Sequence, residues 1–249
     1  MPIPRDLEPA TKAVVFDVYN TLFDNGRQVW ARTFDALCRE QGISLAPEEL
    51  YQRWRALDQE CRKQRVNLEA PHLSPPFRPY RDIWLECFVR LFRELGLDAD
   101  PARANARVLA DLARRPLYPE SLPVVTQLHA WHKTAILSNA DRSFLSPLLE
   151  GTTLPLDVVI SSETVGAYKP HPLPFQRVLE VLEVEPHEAV FVGDTLYDDI
   201  LGAQRAGMRT VWINWSGAPG DTALVRPDHQ VDNLTQLLDL LRPKKGDLP

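Results

Sequence analysis

Apolar and polar positions divide the chain into two kinds of segment. Ala13 to Phe16 is a four-residue apolar run, β-branched and aromatic, too short for a helix; it reads as a strand buried on both faces. From about Arg27 to Arg115 the spacing turns helical. Trp30, Phe34, Leu37 and Cys38 share a stripe that Gly42 can end. Pro47 can open a second helix reaching roughly to Arg65, with Leu50, Trp54 and Leu57 on one face. Pro75-Pro76 makes His72 to Phe77 a loop. A third helix carries Ile83, Trp84, Cys87, Phe88, Leu91, Phe92 and Leu95 and stops at Gly96. A fourth runs from about Pro101 to Arg114. Four amphipathic helices can close a small bundle, with their aromatic stripes as its core.

Beyond Tyr118 helices and strands alternate. A helix starts near Pro119 to Ser121 and buries Leu122, Val125 and Leu128. Thr134 to Leu137 is a strand followed by Ser138-Asn139, and Asp141 can cap the helix that follows. Leu156 to Ile160 is a strand, then comes a loop with Lys169-Pro170 and a helix burying Phe175, Val178, Leu179 and Leu182. Ala189 to Val192 is a strand ending in Gly193-Asp194. A helix with Asp198 and Asp199 near its start runs to Gly207, and Thr210 to Ile213 is another strand. This alternation predicts right-handed βαβ units and a parallel sheet. The α/β core then comprises residues 1–24 and 118–249, and residues 25–117 are a helical insert above the first strand's polar end.

Length allows this division, since 249 residues suffice for one large domain or a core with a smaller insert. A net charge of −6, with no basic run interleaved with aromatics, argues against a nucleic-acid partner. No window approaches the roughly 20 apolar residues of a membrane span. Met1 to Pro9 lacks the apolar stretch of a signal peptide. Cys38, Cys61 and Cys87 are odd in number and widely spaced, which indicates a reducing, cytoplasmic compartment and no structural zinc. The six histidines show no metal-ligand spacing; His171 sits near Lys169 but reads as a solvated loop residue. The Lys244–Pro249 tail is expected to fray. Monomer and homodimer are both compatible with the sequence.

Four polar positions fall at predicted strand ends: Asp17 with Thr21, Ser138-Asn139, Lys169, and Asp194 with Asp198 or Asp199. Each has a local explanation. Asp17 and Ser138 suit turns, Lys169 a solvated loop, and the later acids a helix start, where the dipole stabilises negative charge. A parallel sheet, however, brings its carboxyl ends to one edge, where such folds bind ligands.

On these residues the chain resembles the haloacid dehalogenase-like hydrolase superfamily. Four matches occur in the family's order: Asp-x-x-x-Thr at Asp17 and Thr21, Ser-Asn at Ser138, Lys-Pro at Lys169, and Gly-Asp-x-x-x-x-Asp at Gly193, Asp194 and Asp199. The resemblance implies a Rossmann-like α/β core with an inserted all-α helical cap. It also implies a covalent mechanism in which Asp17 attacks an electrophile and water then hydrolyses the aspartyl intermediate. Thr21 and Ser138 would donate to phosphoryl oxygens, and Lys169 would supply positive charge. Asp17, Asp194 and the Tyr19 carbonyl would hold Mg²⁺, with Asp199 and Asp198 behind them. The substrate would be a small phosphorylated molecule, met by Tyr19, Asn139 and cap residues such as Arg55, Tyr51 or the His72–Phe77 loop.

The motifs diverge in one respect. Family phosphatases carry a second Asp two residues after the nucleophile, as general acid. Here that position is Tyr19, as in the family's 2-haloacid dehalogenases, and Trp54-Arg55 is similar to their substrate-binding Trp-Arg; Arg55 is also compatible with simple packing. The fourth motif points the other way. Dehalogenases replace its metal-binding Asp with Ser, place Asn two residues on, and carry Tyr six residues after the Lys. This chain has Asp194, Leu196 and Phe175. Three carboxylates around one lysine leave excess negative charge, which a divalent ion relieves. The readings are therefore a Mg²⁺-dependent phosphohydrolase favouring good leaving groups, an (S)-2-haloacid dehalogenase, and a non-catalytic family member.

Overall fold

The computed structural model describes residues 11–217 and 225–243. Six parallel strands make one sheet: β1 (Ala13–Phe16), β2 (Lys133–Ser138), β3 (Val158–Ser161), β4 (Ala189–Gly193), β5 (Arg209–Ile213) and β6 (His229–Val231), in the order β3-β2-β1-β4-β5-β6. The tail expected to fray lies outside the described residues.

β1 is central and fully buried. Its alternating side chains serve two cores. Val14 and Phe16 face the layer shared with α5 (Ser121–His129) and α6 (Arg142–Glu150). Ala13 and Val15 face Phe175, Val178 and Leu182 of α8 (Pro172–Leu182). A strand covered on both sides must be apolar at every position, which is why it read as an unbroken run.

Four helices leave the sheet between β1 and β2: α1 (Arg27–Gln41), α2 (Pro47–Gln64), α3 (Tyr80–Leu95) and α4 (Pro101–Leu112). Gly42 and Gly96 end α1 and α3 in the left-handed region, at φ 64° and 63°, where glycine pays no Cβ penalty. The stripes meet in an aromatic cluster of Trp30, Phe34, Tyr51, Trp54, Trp84 and Phe88, with neighbouring ring centroids 5.2 to 6.5 Å apart. The two connecting segments pair at the junction: Asp24 N–H donates to Pro116 O at 2.8 Å, and Tyr118 N–H to Leu22 O at 3.0 Å.

Several elements depart from expectation. The third strand begins at Val158, two residues late. Leu122 is only partly buried, and Val124 takes its core place. A single 3-10 turn, Pro71–Leu73, lies at the start of the proline-rich loop. The helix expected to reach Gly207 divides into a wide turn, Leu196–Leu201, and α9 (Gly202–Arg205), and short elements without a clear period also occur: α7 (Ser162–Val165), β6 and α10 (Gln236–Leu240).

Asp141 does not cap its own helix. Its two oxygens accept instead from Tyr80 N–H and Arg81 N–H, both at 2.8 Å, so a sheet-side carboxylate caps α3 of the insert. The side chain is fully buried. Replacing a capping carboxylate costs about 0.5–2 kcal/mol, and leaving buried donors unpaired about 1–3 kcal/mol. Asp141→Ala should therefore lower unfolding free energy by about 2–3 kcal/mol in urea titration. Asp100→Ala, which removes the exposed local cap of α4, should cost about 1 kcal/mol.

Candidate active site

The register sets three strand ends side by side. Phe16 pairs with Ile136 of β2 and with Val192 of β4, so Asp17, Ser138 and Asp194 emerge along one edge. Asp17 continues the ladder, its N–H donating to Val192 O at 2.9 Å. Val18 O then accepts from the N–H groups of Thr21, Leu22 and Phe23, which turns the chain sharply with Asn20 at φ 61°. Thr21 ends up fully buried beneath Asp17, its hydroxyl 3.4 Å from Asp17 Oδ2.

Lys169 reaches this edge from the loop after α7. It is 1% exposed, and its ammonium makes three hydrogen bonds: to Asp17 Oδ1 at 2.7 Å, Asp199 Oδ1 at 2.7 Å and Leu137 O at 2.9 Å. Its backbone is fixed by Asn139, whose amide oxygen accepts from Lys169 N–H at 2.7 Å and whose amide nitrogen donates to Lys169 O at 3.1 Å. Asn139 is thus spent mainly on holding Lys169.

After β4 the chain winds wide, and Ile200 N–H reaches back five residues to Thr195 O. Such π-type turns often mark functional sites. Here the turn sends adjacent acids different ways. Asp199 turns inward to Lys169, its other oxygen accepting from Thr195 N–H at 3.0 Å and Thr195 Oγ1 at 2.7 Å. Asp198 turns outward to Arg65 of the insert, at 2.6 Å. Gly193 makes this possible: a Cβ there would lie 2.6 Å from the Asp199 side chain. The backbone of Asp194 is held by Trp212, whose Nε1 donates to its carbonyl at 2.8 Å.

A cleft of about 370 Å³ opens over this edge, roofed by the insert. Tyr19, Ser138, Asp194, Trp54, Arg55 and Arg62 are among its walls. Ser138 Oγ is buried and has no hydrogen-bond partner. Arg55 is exposed and packs no core. Tyr19 is half-buried, packs on Phe144, and reaches only Leu112 O, at 3.5 Å. Burial holds the Tyr19 phenol well above its usual range. Phe175 lies away from the cleft, in the core against Phe191, and Leu196 packs near Trp212. His171 contacts Pro71 O at 3.2 Å.

Asp17, Asp194 and Asp199 present carboxylate oxygens within 4.8 Å of one another. Burial and the charge of Asp199 push Asp17 up to about 6, against the pull of Lys169. Burial, then Asp199 and Asp17, raise Asp194 well above the carboxylate range. Lys169 is the reverse case: burial alone would lower it, and Asp17 and Asp199 outweigh that and raise it. Three hard oxygen donors with one cation form a donor set suited to a divalent ion. Both Asp199 oxygens and Asp17 Oδ1 are engaged at 2.7–3.0 Å, while Asp17 Oδ2 meets the Thr21 hydroxyl at 3.4 Å.

The haloacid dehalogenase-like hydrolase family model matches residues 11–207, the span that contains Asp17, Thr21, Ser138, Lys169, Asp194 and Asp199. The chain belongs to that family. It is similar to the glyceraldehyde 3-phosphate phosphatase of Methanopyrus kandleri, with 31% identity over 95% of this chain and 99% of that protein. It is also similar to (S)-2-haloacid dehalogenase 4A of Burkholderia cepacia, at 29% over 92% and 94%. The structure of L-2-haloacid dehalogenase from Xanthobacter autotrophicus, with chloropropionic acid covalently bound, shares the fold at TM-score 0.74 and 29% identity, covering 93% of this chain and 98% of that one. This family member is a hydrolase, and phosphatase and dehalogenase relatives resemble it about equally. No helix among the described residues is long and apolar enough to cross a membrane.

Sequence reading missed Asn20, Asp58, Arg62 and Thr195 of the cleft wall, and Arg65, which grips Asp198 behind it. As the C-terminal cap of α2, Arg65 carries a charge that already has a local explanation in the helix dipole.

The charge arrangement predicts a pH signature. The Asp17 carboxyl sits near 6 when folded, against an ordinary 3.8. A raised carboxyl contributes stability that is full below about pH 4 and lost as pH climbs through 6. Lys169→Met leaves Asp17 and Asp199 buried without a counter-charge. It should cost about 3–5 kcal/mol at pH 8 and distinctly less at pH 5, where Asp17 can take up a proton. Urea unfolding in EDTA at both values measures the difference.

Proposed function

We propose that this hydrolase is a Mg²⁺-dependent phosphohydrolase acting on a small phosphorylated molecule through an aspartyl-phosphate. The observation that carries the reading is Asp194: a carboxylate beside Asp17 and Asp199, raised by burial and by their charge, in a place where a bound cation would relieve the repulsion. Asp17 and Asp194, with the backbone carbonyl of Tyr19, would hold the ion. When bound, it would neutralise charge on the phosphoryl oxygens.

The chain's own residues then divide the work. Lys169 holds Asp17 Oδ1, which leaves Oδ2 to attack phosphorus in line with the leaving oxygen. The P–O bond to the leaving group breaks as the Asp17–phosphorus bond forms, and the leaving group carries away the electron pair. Thr21 holds Asp17 from below. Ser138, a buried hydroxyl with no partner, donates to a phosphoryl oxygen. Lys169 balances charge on the transferring group. Water then attacks phosphorus as the Asp17–phosphorus bond breaks; one of its protons stays on the released phosphate, the other passes through solvent to the departed leaving group, and Asp17 is regenerated as carboxylate. Asp199 keeps Lys169 in place throughout.

Tyr19 is a poor proton donor because burial raises its pKa. Leaving groups that depart without a proton are therefore favoured. Loss of general acid catalysis typically costs about 10²–10⁴-fold, and the gap between p-nitrophenyl phosphate and a primary alkyl phosphate should fall in or above that range. EDTA should abolish turnover of both substrates, and Asp17→Asn should remove activity without impairing the fold. Equal rates for aryl and alkyl esters, with chemistry rate-limiting, would refute the leaving-group argument.

A second reading is (S)-2-haloacid dehalogenation, favoured by Tyr19 and Arg55 both lining the cleft. Chloride released from 2-chloropropionate and unaffected by EDTA would establish it. If Mg²⁺ with BeF₃⁻ failed to bind and no substrate turned over, the chain would be a non-catalytic family member.

A further inference from the structure

The buried pair Lys169–Asp199 is built from two segments far apart in sequence, and one side chain of the insert touches both. Arg65, 7% exposed at its side chain, pairs with Asp198 Oδ2 at 2.6 Å. Its guanidinium also lies 4.6 Å over the ring of Tyr168. Tyr168 and Asp198 are the residues immediately before Lys169 and Asp199. The same guanidinium donates to the Tyr80 hydroxyl on α3, so it is anchored on the insert side as well. Asn139 closes the loop, donating to Asp198 Oδ2 at 3.4 Å while it fixes the backbone of Lys169.

We propose that Arg65 is a positioning residue: by clamping Tyr168 and Asp198 it sets the register of Lys169 against Asp199, and so the direction in which Asp17 is held. A guanidinium suits this task where an ammonium does not. Its planar fork serves Asp198 and Tyr80 at once while its face stacks on Tyr168. An ordinary surface ion pair has neither the burial nor the second and third contacts. The insert therefore contributes to the catalytic geometry from outside the reacting atoms. The kinetic part of this inference rests on the phosphohydrolase reading.

The test uses Arg65→Gln, Arg65→Lys, Asp198→Asn and the double variant Arg65→Gln/Asp198→Asn. The assay is p-nitrophenyl phosphate in saturating Mg²⁺, with melting temperature recorded for each protein. Partners that orient a site from behind are typically worth 10–100-fold, so Arg65→Gln should lose roughly that factor in kcat with KM changed by less than about threefold. Arg65→Lys should recover only part of the loss. The double variant should be no slower than Arg65→Gln, because both substitutions break one clamp. A lowered melting temperature with wild-type kcat per folded molecule would make Arg65 a strut and overturn the proposal, as would additive losses in the double variant. Should wild-type protein hydrolyse no phosphoester, the phosphohydrolase reading fails on its own, and a crystal structure of Arg65→Gln decides this one. A shift of Lys169 against Asp199 of more than about 0.5 Å, the tolerance of a catalytic constellation, supports it; superposition on wild type refutes it.

Discussion

A single buried ammonium holds the site edge together. Lys169 has three donors and three acceptors, and two of those acceptors are carboxylates from opposite ends of the motif series. Taking such charges out of water costs several kcal/mol per ion, and only good geometry with complete hydrogen bonding repays it. The surrounding structure supplies that geometry piece by piece. Asn139 fixes the lysine's backbone, Thr195 fills the far side of Asp199, and Gly193 leaves out the atom that would collide with it. Each looks locally like a turn residue. Together they are the conditions under which one cation can stay dry between two anions.

The parts legible in the sequence were those determined by near neighbours. β1 showed because a strand covered on both faces has no polar position to interrupt it, and the insert helices showed because each buries one stripe against the others. Asp17, Ser138 and Asp194 were found because strand ends mark a sheet's binding edge. What stayed hidden depends on contacts across the chain. Asp141 stands where a helix begins, so it read as that helix's cap, yet its partners lie 60 and 61 residues away. The partner of Asp198 lies 133 residues away. Periodicity cannot report such pairings. The short elements α7, β6 and α10 were also missed, because a few residues do not establish a period.

The insert is bound to the sheet through groups that belong to the site's own loops. Tyr168 OH donates to Arg78 O at 2.7 Å, Asp198 pairs with Arg65, and Asp141 caps α3. The roof and floor of the cleft are thus not independent bodies that merely face each other. A change in how the insert sits is transmitted directly to residues next to Lys169 and Asp199, since those are the residues the insert grips.

Overall likeness cannot choose between phosphoryl and carbon chemistry here, because relatives of both kinds match at about 30% identity over nearly the whole chain. Fold does not fix reaction, so the choice falls to individual side chains. Tyr19 removes the acid, which a departing halide does not need, so it suits carbon chemistry and limits phosphoryl chemistry to good leaving groups. Asp194 is the side chain on which the phosphohydrolase reading rests. With a neutral residue at 194, Asp17 and Asp199 would share Lys169 with little repulsion left over. With Asp194 present, three carboxylates crowd one ammonium, and both Asp17 and Asp194 are driven toward protonation. A protonated Asp17 is no nucleophile. Under the phosphohydrolase reading, a cation held by Asp17 and Asp194 would relieve that crowding and keep the attacking group ionised.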